Sequence, residues 1–436
     1  GIRDKLVTGV QTCALPIFDG TVGIDLRVRW RDERHKQSDH QGKARYWHSH
    51  SFIFPLSLIT RLPYSFSRST APLSKSHAAR RYAGAYVLTV SCRLDTVRTS
   101  YHIGCFMSKL RLNFACGPYD RTQALRDGTI SVDGIELNYL TMQPAEIFWR
   151  QLQFQEFDAS EMSLSNYTSL VSTGKSPFIA IPVYPSRVFR HGYFFINTEK
   201  GIKSGADLKG KRGGVPEYSM TAAVYMRGLM QHEFGVKPSD VEWVQGRADR
   251  LGRKLPNDIE LTQAPAGTEL GDMLERGEID FMMTANNPLS FRRGAKTVRR
   301  LFPNYAEVEK DYYRRTKIYP IMHTVVIRRD IYDRDPWVAL NLYQALCRAK
   351  DYCYHHLTET GSPKASFAWL QPMIEEEQQI IGPDWYSYGI EQNRPSIEAL
   401  LQYTHEHGLT DRRVKLEELF APSTMRDIPL SEGQRV

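Results

Sequence analysis

The sequence predicts an α/β protein built from two lobes, with a ligand cleft between them. Helical and strand patterns alternate along residues 107–436, as in proteins whose sheets are covered by helices. This stretch is longer than a single hydrophobic core usually covers, so two cores are expected. Strand patterns at 191–197 and 318–328 flank residues 198–317, which is the layout of one lobe inserted into another.

Lobe 1 is predicted to comprise residues 107–197 and 318–436, and lobe 2 to comprise residues 198–317. Ligands of such folds bind where strands end and helices begin. Short apolar runs bounded by turn residues predict the strands. In chain order, these strands cover residues 110–115, 160–164, 193–197, 211–215, 280–284 and 318–328.

Apolar residues at helical spacing, together with capping residues, predict the helices. Pro144 opens the first helix, because an N–H group is not needed at that position. Ser219 and Thr268 are expected to cap two helices of lobe 2, and Gly235 and Gly277 to end them. The helices cover residues 145–154, 220–234, 269–276, 337–357, 364–381 and 395–408, and a short helical turn covers 206–210.

Residues 1–106 differ from the rest of the chain in charge and in pattern. They contain 16 Lys and Arg against 7 Asp and Glu, a net charge of +9, whereas residues 107–436 contain 41 against 42, a net charge of −1. The segment shows no sustained period, and Val7 to Ile17 resembles a translated sequencing adapter. We interpret residues 1–106 as an artefactual or disordered leader, and Met107 as the start of the protein body.

The sequence disfavours several classes of function. The balanced charge of residues 107–436 gives no argument for nucleic-acid binding. The apolar segment at 52–62 is too short to span a bilayer and lies too far from the start for a signal peptide. We therefore predict no membrane partner and a cytoplasmic location, or a periplasmic one if a signal was lost upstream. Glycine-rich phosphate loops, nucleophile elbows and zinc motifs are not found in the sequence.

The run Ile181 to His191, IPVYPSRVFRH, is the most informative stretch for function. Arg187 and His191 are four residues apart, so on a regular strand they face the same side, while Arg190 points the other way. An arginine fork can hold a carboxylate in two places, and a histidine can move a proton near neutral pH. The pattern predicts a site for a small anion; the alternative is an edge strand with solvated charges.

Further candidates follow the first two predicted strands. Asp120 and Arg121 come after the first strand, although Asp120 could simply cap a turn. Ser163, Ser165 and Asn166 come after the second strand, where hydroxyl groups and the N–H groups of the next helix can meet an anion. For Ser165, a plain capping role is the alternative and is compatible with ligand binding.

The loop 216–221 joins a strand to a helix N-terminus in lobe 2, and such an N-terminus attracts anions. Glu217 could act as a base or only as a cap, and Tyr218 could stack on an aromatic ring. The loop also offers hydroxyl groups, and the next strand end is expected on the same rim. These remaining candidates are Ser219, Thr221, Asn286 and Asn287.

His323 lies among apolar residues on the second crossing strand. A lone histidine in such a setting is usually a core residue, but the crossing-strand position would bring it to the cleft, so both interpretations stay open. His405 and His407 are two residues apart and do not share a helix face, so they indicate no metal pair. We predict no cofactor and leave a divalent metal open.

Several long motifs in residues 107–436 are similar to those of the 4,5-dihydroxyphthalate decarboxylase family. The resemblance runs nearly end to end through this part and includes none of residues 1–106. The motifs are EIFWR at 146–150, FDASEMSLSNY at 157–167, IPVYPSRVFRH at 181–191, ADLKGKRGGVPEYSMTAAVYMRGLM at 206–230, GEIDFMM at 277–283, RLFPNYAEVEKDYYRRTKIYPIMHTVVIRRD at 300–330 and NRPSIEALLQYTHEHGL at 393–409.

This resemblance implies the fold of type 2 periplasmic substrate-binding proteins and the non-oxidative decarboxylation of 4,5-dihydroxyphthalate in the cleft. Such chemistry needs an arginine for the retained carboxylate, a base for the phenol and an acid for the ring carbon. We assign these roles to Arg187, to His323 or Glu217, and to His191, respectively. The expected partner is a small aromatic or dicarboxylic acid, and homo-oligomerisation stays open.

A solute-binding protein of an uptake system, with a cleft but no catalysis, is the alternative from another class. It would need an export signal or a lipid anchor, and Met107 opening directly into a strand argues against one. A third alternative is an enzyme of the same fold that acts on a different hydroxylated acid.

Residues 1–106 are expected to be dispensable for folding and for ligand binding. We expect residues 107–436 alone to keep the melting temperature and the ligand affinity of the full chain, because the predicted core and cleft lie in this segment. Thermal unfolding and calorimetric titration of both proteins check this. A melting temperature several degrees lower for the shorter protein, or a loss of its binding, would contradict the interpretation.

Overall fold

The structure, a computed structural model, divides into two compact units with the boundary between Ser108 and Lys109. In the first unit, strands β1 (Lys36–Ser38) and β2 (Ala44–Tyr46) pair antiparallel, as do β3 (Tyr86–Leu94) and β4 (Val97–Cys105). The sequence pattern does not predict these pairs. The runs at 7–17 and 52–62 lie outside the described residues, which are 36–38, 44–46, 86–94, 97–105 and 109–426.

The second unit contains two sheets, and the first belongs to lobe 1. Its strand order is β6-β5-β7-β15-β8. The central strand β7 pairs parallel with β5 and antiparallel with β15, which returns from lobe 2. The five strands are β5 (Leu110–Cys116), β6 (Ile135–Thr141), β7 (Ala159–Ser163), β8 (Phe178–Ile181) and β15 (His323–Arg328).

The second sheet has six strands in the order β12-β11-β10-β13-β9-β14. Strands β10 to β13 run parallel, and β9 pairs antiparallel with β13 and β14. Because β9 belongs to this sheet, the chain passes from the first sheet to the second before Phe194. The strands are β9 (Phe194–Asn197), β10 (Arg212–Val215), β11 (Glu242–Gln245), β12 (Leu261–Gln263), β13 (Phe281–Met283) and β14 (Val298–Arg300).

Eleven α-helices accompany these sheets within residues 109–426. Among the described residues, none of the helices combines the length and hydrophobicity that a membrane span requires. The helices are α1 (Gln123–Arg126), α2 (Pro144–Phe154), α3 (Leu164–Ser172), α4 (Thr221–Glu233), α5 (Leu270–Glu275), α6 (Leu289–Arg292), α7 (Tyr305–Thr316), α8 (Arg329–Arg334), α9 (Trp337–Thr358), α10 (Leu370–Ile381) and α11 (Arg394–Glu406).

The predicted two-lobed α/β class is confirmed, and the differences from prediction are local. The run 181–191 is not a strand: β8 ends at Ile181, and one isolated bridge joins Arg187 to Ile321. Pro182 and Pro185 lack the N–H groups that a continuous ladder needs. The predicted caps are also wrong, since α4 and α5 begin after Met220 and Glu269 without a side-chain cap.

Two buried apolar clusters hold the unit together. The larger cluster spans both lobes, while a smaller one, which includes Phe195 and Met282, covers one face of the second sheet. Phe194 and Ile196 belong to the larger cluster, so β9 contributes alternate residues to the two faces, as an extended strand must. The sheet of lobe 2 is therefore buried on both sides.

Helix α4, whose N-terminus reaches the space between the lobes, packs closely on α11. At Gly228 an added Cβ would lie 2.3 Å from ring carbons of Tyr403, so only glycine fits without movement. We expect Gly228→Ala to destabilise the fold by about 1–3 kcal/mol, because overpacking outweighs the gain of about 1 kcal/mol in helix propensity. Denaturant unfolding measures the difference.

Gly361→Ala is the matched control, because its added methyl group would meet only the end of the Glu359 side chain. Its unfolding midpoint should stay close to that of the wild type. Equal midpoints for Gly228→Ala and Gly361→Ala would show that the α4–α11 contact relaxes freely.

Candidate active site

A cavity of about 500 Å³ opens between the two lobes. Tyr119 follows β5, Ser163 ends β7 and His323 begins β15. In the antiparallel pairing of β7 and β15, His323 lies opposite Ser163, so both reach the cavity from the same end of the first sheet. The polar and aromatic residues that line it include Tyr119, Phe148, Ser163, Arg190, Tyr193, Thr221, Arg247, Arg250, Asn286 and His323.

Three helix N-termini meet at this cavity. Pro144 and Ala145 of α2 line it, Ser163 directly precedes α3, and Thr221 begins α4. The first turn of a helix has N–H groups without intrahelical partners and carries a partial positive charge. This arrangement favours a bound anion before any charged side chain is considered.

Hydroxyl groups join the starts of α3 and α4 across the lobes. Ser163 Oγ and Ser165 Oγ lie 2.9 and 3.0 Å from Thr221 Oγ1, which also accepts a hydrogen bond from the Ser165 N–H group. Ser165 Oγ donates to the carbonyl of Ser219, and Asn166 Nδ2 donates to Ser219 Oγ. Of these predicted residues, Ser163 and Thr221 line the cavity, while Ser165, Asn166 and Ser219 form the buried layer behind it.

Three arginines add positive charge to the cavity. Arg190 is 5% exposed, and burial lowers the pKa of its guanidinium to about 10. Arg247 and Arg250 come from the loop after β11, and both bind the carboxylate of Glu217, at 3.1 and 2.7 Å. Glu217 is fully buried, and its carboxylate contacts both arginines. Its carboxylate is therefore not free to act as the base for which we considered Glu217 alongside His323.

The same loop also reaches lobe 1. Arg253 donates to both carboxylate oxygens of Asp411, at 2.8 and 3.1 Å, and to Ser169 and Ser172 at the end of α3. The side chain of Arg253 is 18% exposed. One loop of lobe 2 thus carries two cavity arginines and is anchored on lobe 1.

His323 lines the cavity together with these arginines, and its imidazole is neutral. Burial, and then the charges of Arg190 and Arg250, lower its pKa to about 3. Its Nδ1 atom lies 3.4 Å from the Tyr119 hydroxyl group, and its ring meets Phe148 edge to face at 4.8 Å. Nδ1 is therefore engaged, and Nε2 is the ring nitrogen that remains for a ligand.

Arg187 and His191 do not lie where the regular-strand interpretation puts them. Arg187 donates to the carbonyls of Tyr319 and Ser387 and stacks on the Tyr319 ring, away from the cavity lining. His191 is buried next to Glu309, and burial lowers its pKa to about 4. Because the chain winds between Ile181 and His191, Arg190 lines the cavity in place of Arg187.

Three other predicted residues also lie outside the cavity lining. Asp120 pairs with Arg121 at 2.6 Å, and the Arg121 guanidinium lies 3.8 Å from the centre of the Tyr386 ring. Tyr218 is 1% exposed and its ring is covered by the guanidinium of Arg227, so it cannot stack on a ligand. Asn286 does line the cavity, and Asn287 lines a neighbouring one that shares Asn286 and Arg247.

Sequence reasoning missed Arg247 and Arg250. They follow the end of a parallel strand, where ligand-binding loops concentrate, so the two arginines of RADR at 247–250 were a usable signal. Their pairing with Glu217 depends on a contact across 30 residues and is not visible in the sequence. In the described part of the chain, no group of three His, Cys, Asp or Glu residues is arranged to hold a metal ion.

The two lobes thus enclose a cleft that is rich in positive charge and is also lined by a histidine. The curated 4,5-dihydroxyphthalate decarboxylase of Comamonas testosteroni is 36% identical over 330 residues, which is 74% of this chain and 100% of that protein. That of Pseudomonas putida is 41% identical over 214 residues, 48% of this chain and 83% of that protein. The chain belongs to the 4,5-dihydroxyphthalate decarboxylase family.

The other comparisons are less specific. No protein-family model matches the chain. The sulfonate-binding protein SsuA of Methylobacillus flagellatus has a TM-score of 0.44 at 14% identity, covering 73% of this chain and 93% of that chain. SsuA of Escherichia coli has a TM-score of 0.44 at 11% identity, covering 75% and 96%. The desulfurization enzyme DSZB has a TM-score of 0.38 at 15% identity, covering 73% and 98%.

We expect Arg190, and not Arg187, to be needed for binding a dicarboxylate. Arg190→Met should weaken the binding of phthalate by about 2–5 kcal/mol, the usual cost of truncating one partner of a buried charge pair. Phthalate is a suitable probe because it lacks the hydroxyl groups that drive decarboxylation. Isothermal titration calorimetry gives the affinities.

Arg187→Met is the matched comparison, since both arginines are buried and only Arg190 lines the cavity. Its phthalate affinity, measured on folded protein, should stay near that of the wild type. If Arg187→Met lost phthalate affinity and Arg190→Met did not, Arg187 and not Arg190 would belong to the binding site.

Proposed function

We propose that this protein is a carboxy-lyase that decarboxylates 4,5-dihydroxyphthalate, or a related hydroxylated aromatic acid, in the cleft between its lobes. The observation that carries the proposal is the position of neutral His323 in a cavity lined by Arg190, Arg247 and Arg250. The names of the two relatives supply the substrate class. The expected aromatic product is 3,4-dihydroxybenzoate.

The cavity has a surface for each part of such a substrate. The arginines and the helix N-termini supply positive charge for two carboxylates. Phe148, Val188, Met220 and Met322 supply apolar surface for a ring. Arginine forks bind carboxylates bidentately, so they fix the ring orientation as well as its charge.

The reaction is feasible without an organic cofactor. Each carboxyl group of 4,5-dihydroxyphthalate is para to a hydroxyl group, so electron density from the phenol oxygen reaches the carboxyl-bearing carbon. That carbon gains a proton, the bond to the carboxylate breaks, and its electron pair restores the aromatic ring. Carbon dioxide leaves, and the net reaction consumes one proton per turnover.

We assign the proton transfer at the ring to His323, whose Nε2 atom is free of hydrogen bonds to the described residues. The arginines stabilise the anionic substrate and the charge that builds up on the phenol oxygen. The distribution of the two carboxylates among Arg190, Arg247 and Arg250 is part of this proposal. The cytoplasmic location, or a periplasmic one if a signal was lost upstream, remains a prediction from the sequence, and homo-oligomerisation remains open.

Replacing His323 should separate binding from catalysis. We expect His323→Gln to lower the rate of carbon dioxide release from 4,5-dihydroxyphthalate by about 10²–10⁴, the usual contribution of a positioned acid or base. Phthalate affinity should fall much less, because the arginines remain. Rates of product formation and calorimetric titrations measure the two effects.

His191→Gln is the control, because His191 is a buried histidine that does not line the cavity. It should keep the turnover of the wild type per folded molecule. A wild-type protein that binds several hydroxylated aromatic acids tightly and releases no carbon dioxide would instead support a solute-binding protein and end the decarboxylase proposal.

A further inference from the structure

We propose that Glu161, buried behind His323, supplies the proton that each decarboxylation consumes, and that it acts through the imidazole. The inference rests on the proposed function and extends it to a residue outside the cavity lining. Glu161 does not touch the substrate in this scheme, so it is a positioning and proton-supplying residue. Glu161 lies within the motif FDASEMSLSNY at 157–167, and its position in the sequence alone indicates no role.

The strand geometry places Glu161 directly behind the site. It precedes Ser163 by two residues on β7, and residues two apart on a strand face the same side. His323 lies opposite Ser163 on the neighbouring strand β15. As a result, Glu161 Oε1 lies 4.0 Å from His323 Nδ1. The Tyr119 hydroxyl group, 3.4 Å from the same nitrogen, offers a second route for the proton.

Glu161 is a buried carboxyl group, and no Lys or Arg among the described residues forms an ion pair with it. It is 0% exposed, its Oε1 atom has no hydrogen-bond partner within the described residues, and its Oε2 atom lies 3.5 Å from Cys116 Sγ. Glu217 is equally buried but is bound by two arginines. A carboxylate in the setting of Glu161 is costly, so the protonated acid is favoured.

The protonation of Glu161 follows from this burial. Burial raises its pKa to about 7, although hydrogen bonds from Tyr119 and Cys116 act in the opposite direction. A carboxyl group with a pKa near the working pH can both hold a proton and release it. A perturbed pKa marks a candidate functional group, and the position next to the cavity histidine is what distinguishes Glu161 from other buried glutamates.

The groups that face Glu161 keep their charge state near neutral pH. Burial raises the pKa of Cys116 on β5, of Tyr119 after β5 and of Tyr139 on β6, so these groups stay neutral. His323 on β15 stays neutral because burial, Arg190 and Arg250 lower its pKa. Within this cluster, Glu161 is therefore the group that changes charge between about pH 6 and 8.

In the proposed proton transfer, two bonds to hydrogen break and two form. The O–H bond of Glu161 breaks and an N–H bond forms at His323 Nδ1, while the Nε2–H bond breaks and a C–H bond forms at the carboxyl-bearing ring carbon. The bond to the carboxylate then breaks, its electron pair returns to the ring, and carbon dioxide leaves. Glu161 remains as a carboxylate and regains its proton from solvent. The 4.0 Å separation must shorten, as catalytic contacts commonly do when substrate binds.

The chain contains a second pair that serves as a control. Glu309 Oε1 lies 4.0 Å from His191 Nδ1, and burial raises the pKa of Glu309 to about 7. Neither residue lines the cavity. The two pairs match in residue type, distance and titration range. They differ in that only His323 lines the cavity and that Glu309 also interacts with the charges of Arg190 and Arg300.

Glu161→Gln and Glu309→Gln should therefore differ in activity. Wild-type kcat should fall as the pH rises through about 7, because the acid form of Glu161 is required. Glu161→Gln should lower kcat by about 10²–10⁴, lose this alkaline limb and leave phthalate affinity nearly unchanged. Glu309→Gln should keep the wild-type kcat and its pH profile. A purely structural role for Glu161 would change affinity or stability without removing the limb.

A measurement without turnover tests the protonation directly. In Glu309→Gln protein, the infrared band of a protonated carboxyl group should titrate near pH 7, and the additional change Glu161→Gln should remove it. If the wild type is active while Glu161→Gln keeps both its kcat and the alkaline limb, or if the band is absent, the inference on Glu161 is overturned and the decarboxylase function stands. If the wild type itself releases no carbon dioxide, the proposed function fails and the proton supply fails with it.

Discussion

The antiparallel pairing of β7 with β15 is the contact on which the site depends. Strand β15 is the chain's return from lobe 2, and its first residue, His323, lies opposite Ser163. This register brings together a cavity histidine, the start of α3 and the buried Glu161. A shift of one residue would turn His323 away from the cavity, because side chains alternate along a strand. The inserted topology thus fixes the chemistry as well as the fold.

Concentrating three arginines and three helix N-termini at one cavity has an electrostatic cost when no anion is bound. Glu217 offsets part of this cost, since its buried carboxylate binds Arg247 and Arg250 from within lobe 2. No carboxylate among the described residues pairs directly with Arg190. Burial lowers the pKa of its guanidinium, although the nearby Glu309 acts in the opposite direction. In the proposed function, an entering dicarboxylate would supply the missing negative charge.

Local sequence patterns predicted where helices and strands begin. They did not predict side-chain positions that depend on contacts between residues far apart in the sequence. Helix α2 starts at Pro144, and β5 begins at Leu110, as the sequence indicates. The directions assigned to Arg187 and Arg190 were wrong because they assumed a regular strand, which two prolines prevent. Arg247 and Arg250 were not predicted as site residues because their contacts with Glu217 form only in the folded chain. The same limit applies to Glu161, whose neighbours come from three strands and the loop that follows β5.

The loop that carries Arg247 and Arg250 also ends on lobe 1, where Arg253 binds Asp411 and the last turn of α3. Any hinge motion that separates the lobes must stretch or break these contacts, and it moves the two cavity arginines with them. Separation of the lobes and displacement of the two cavity arginines are therefore coupled through this loop. Since the Arg253–Asp411 pair is partly exposed to solvent, dissolved salt screens this contact between the lobes.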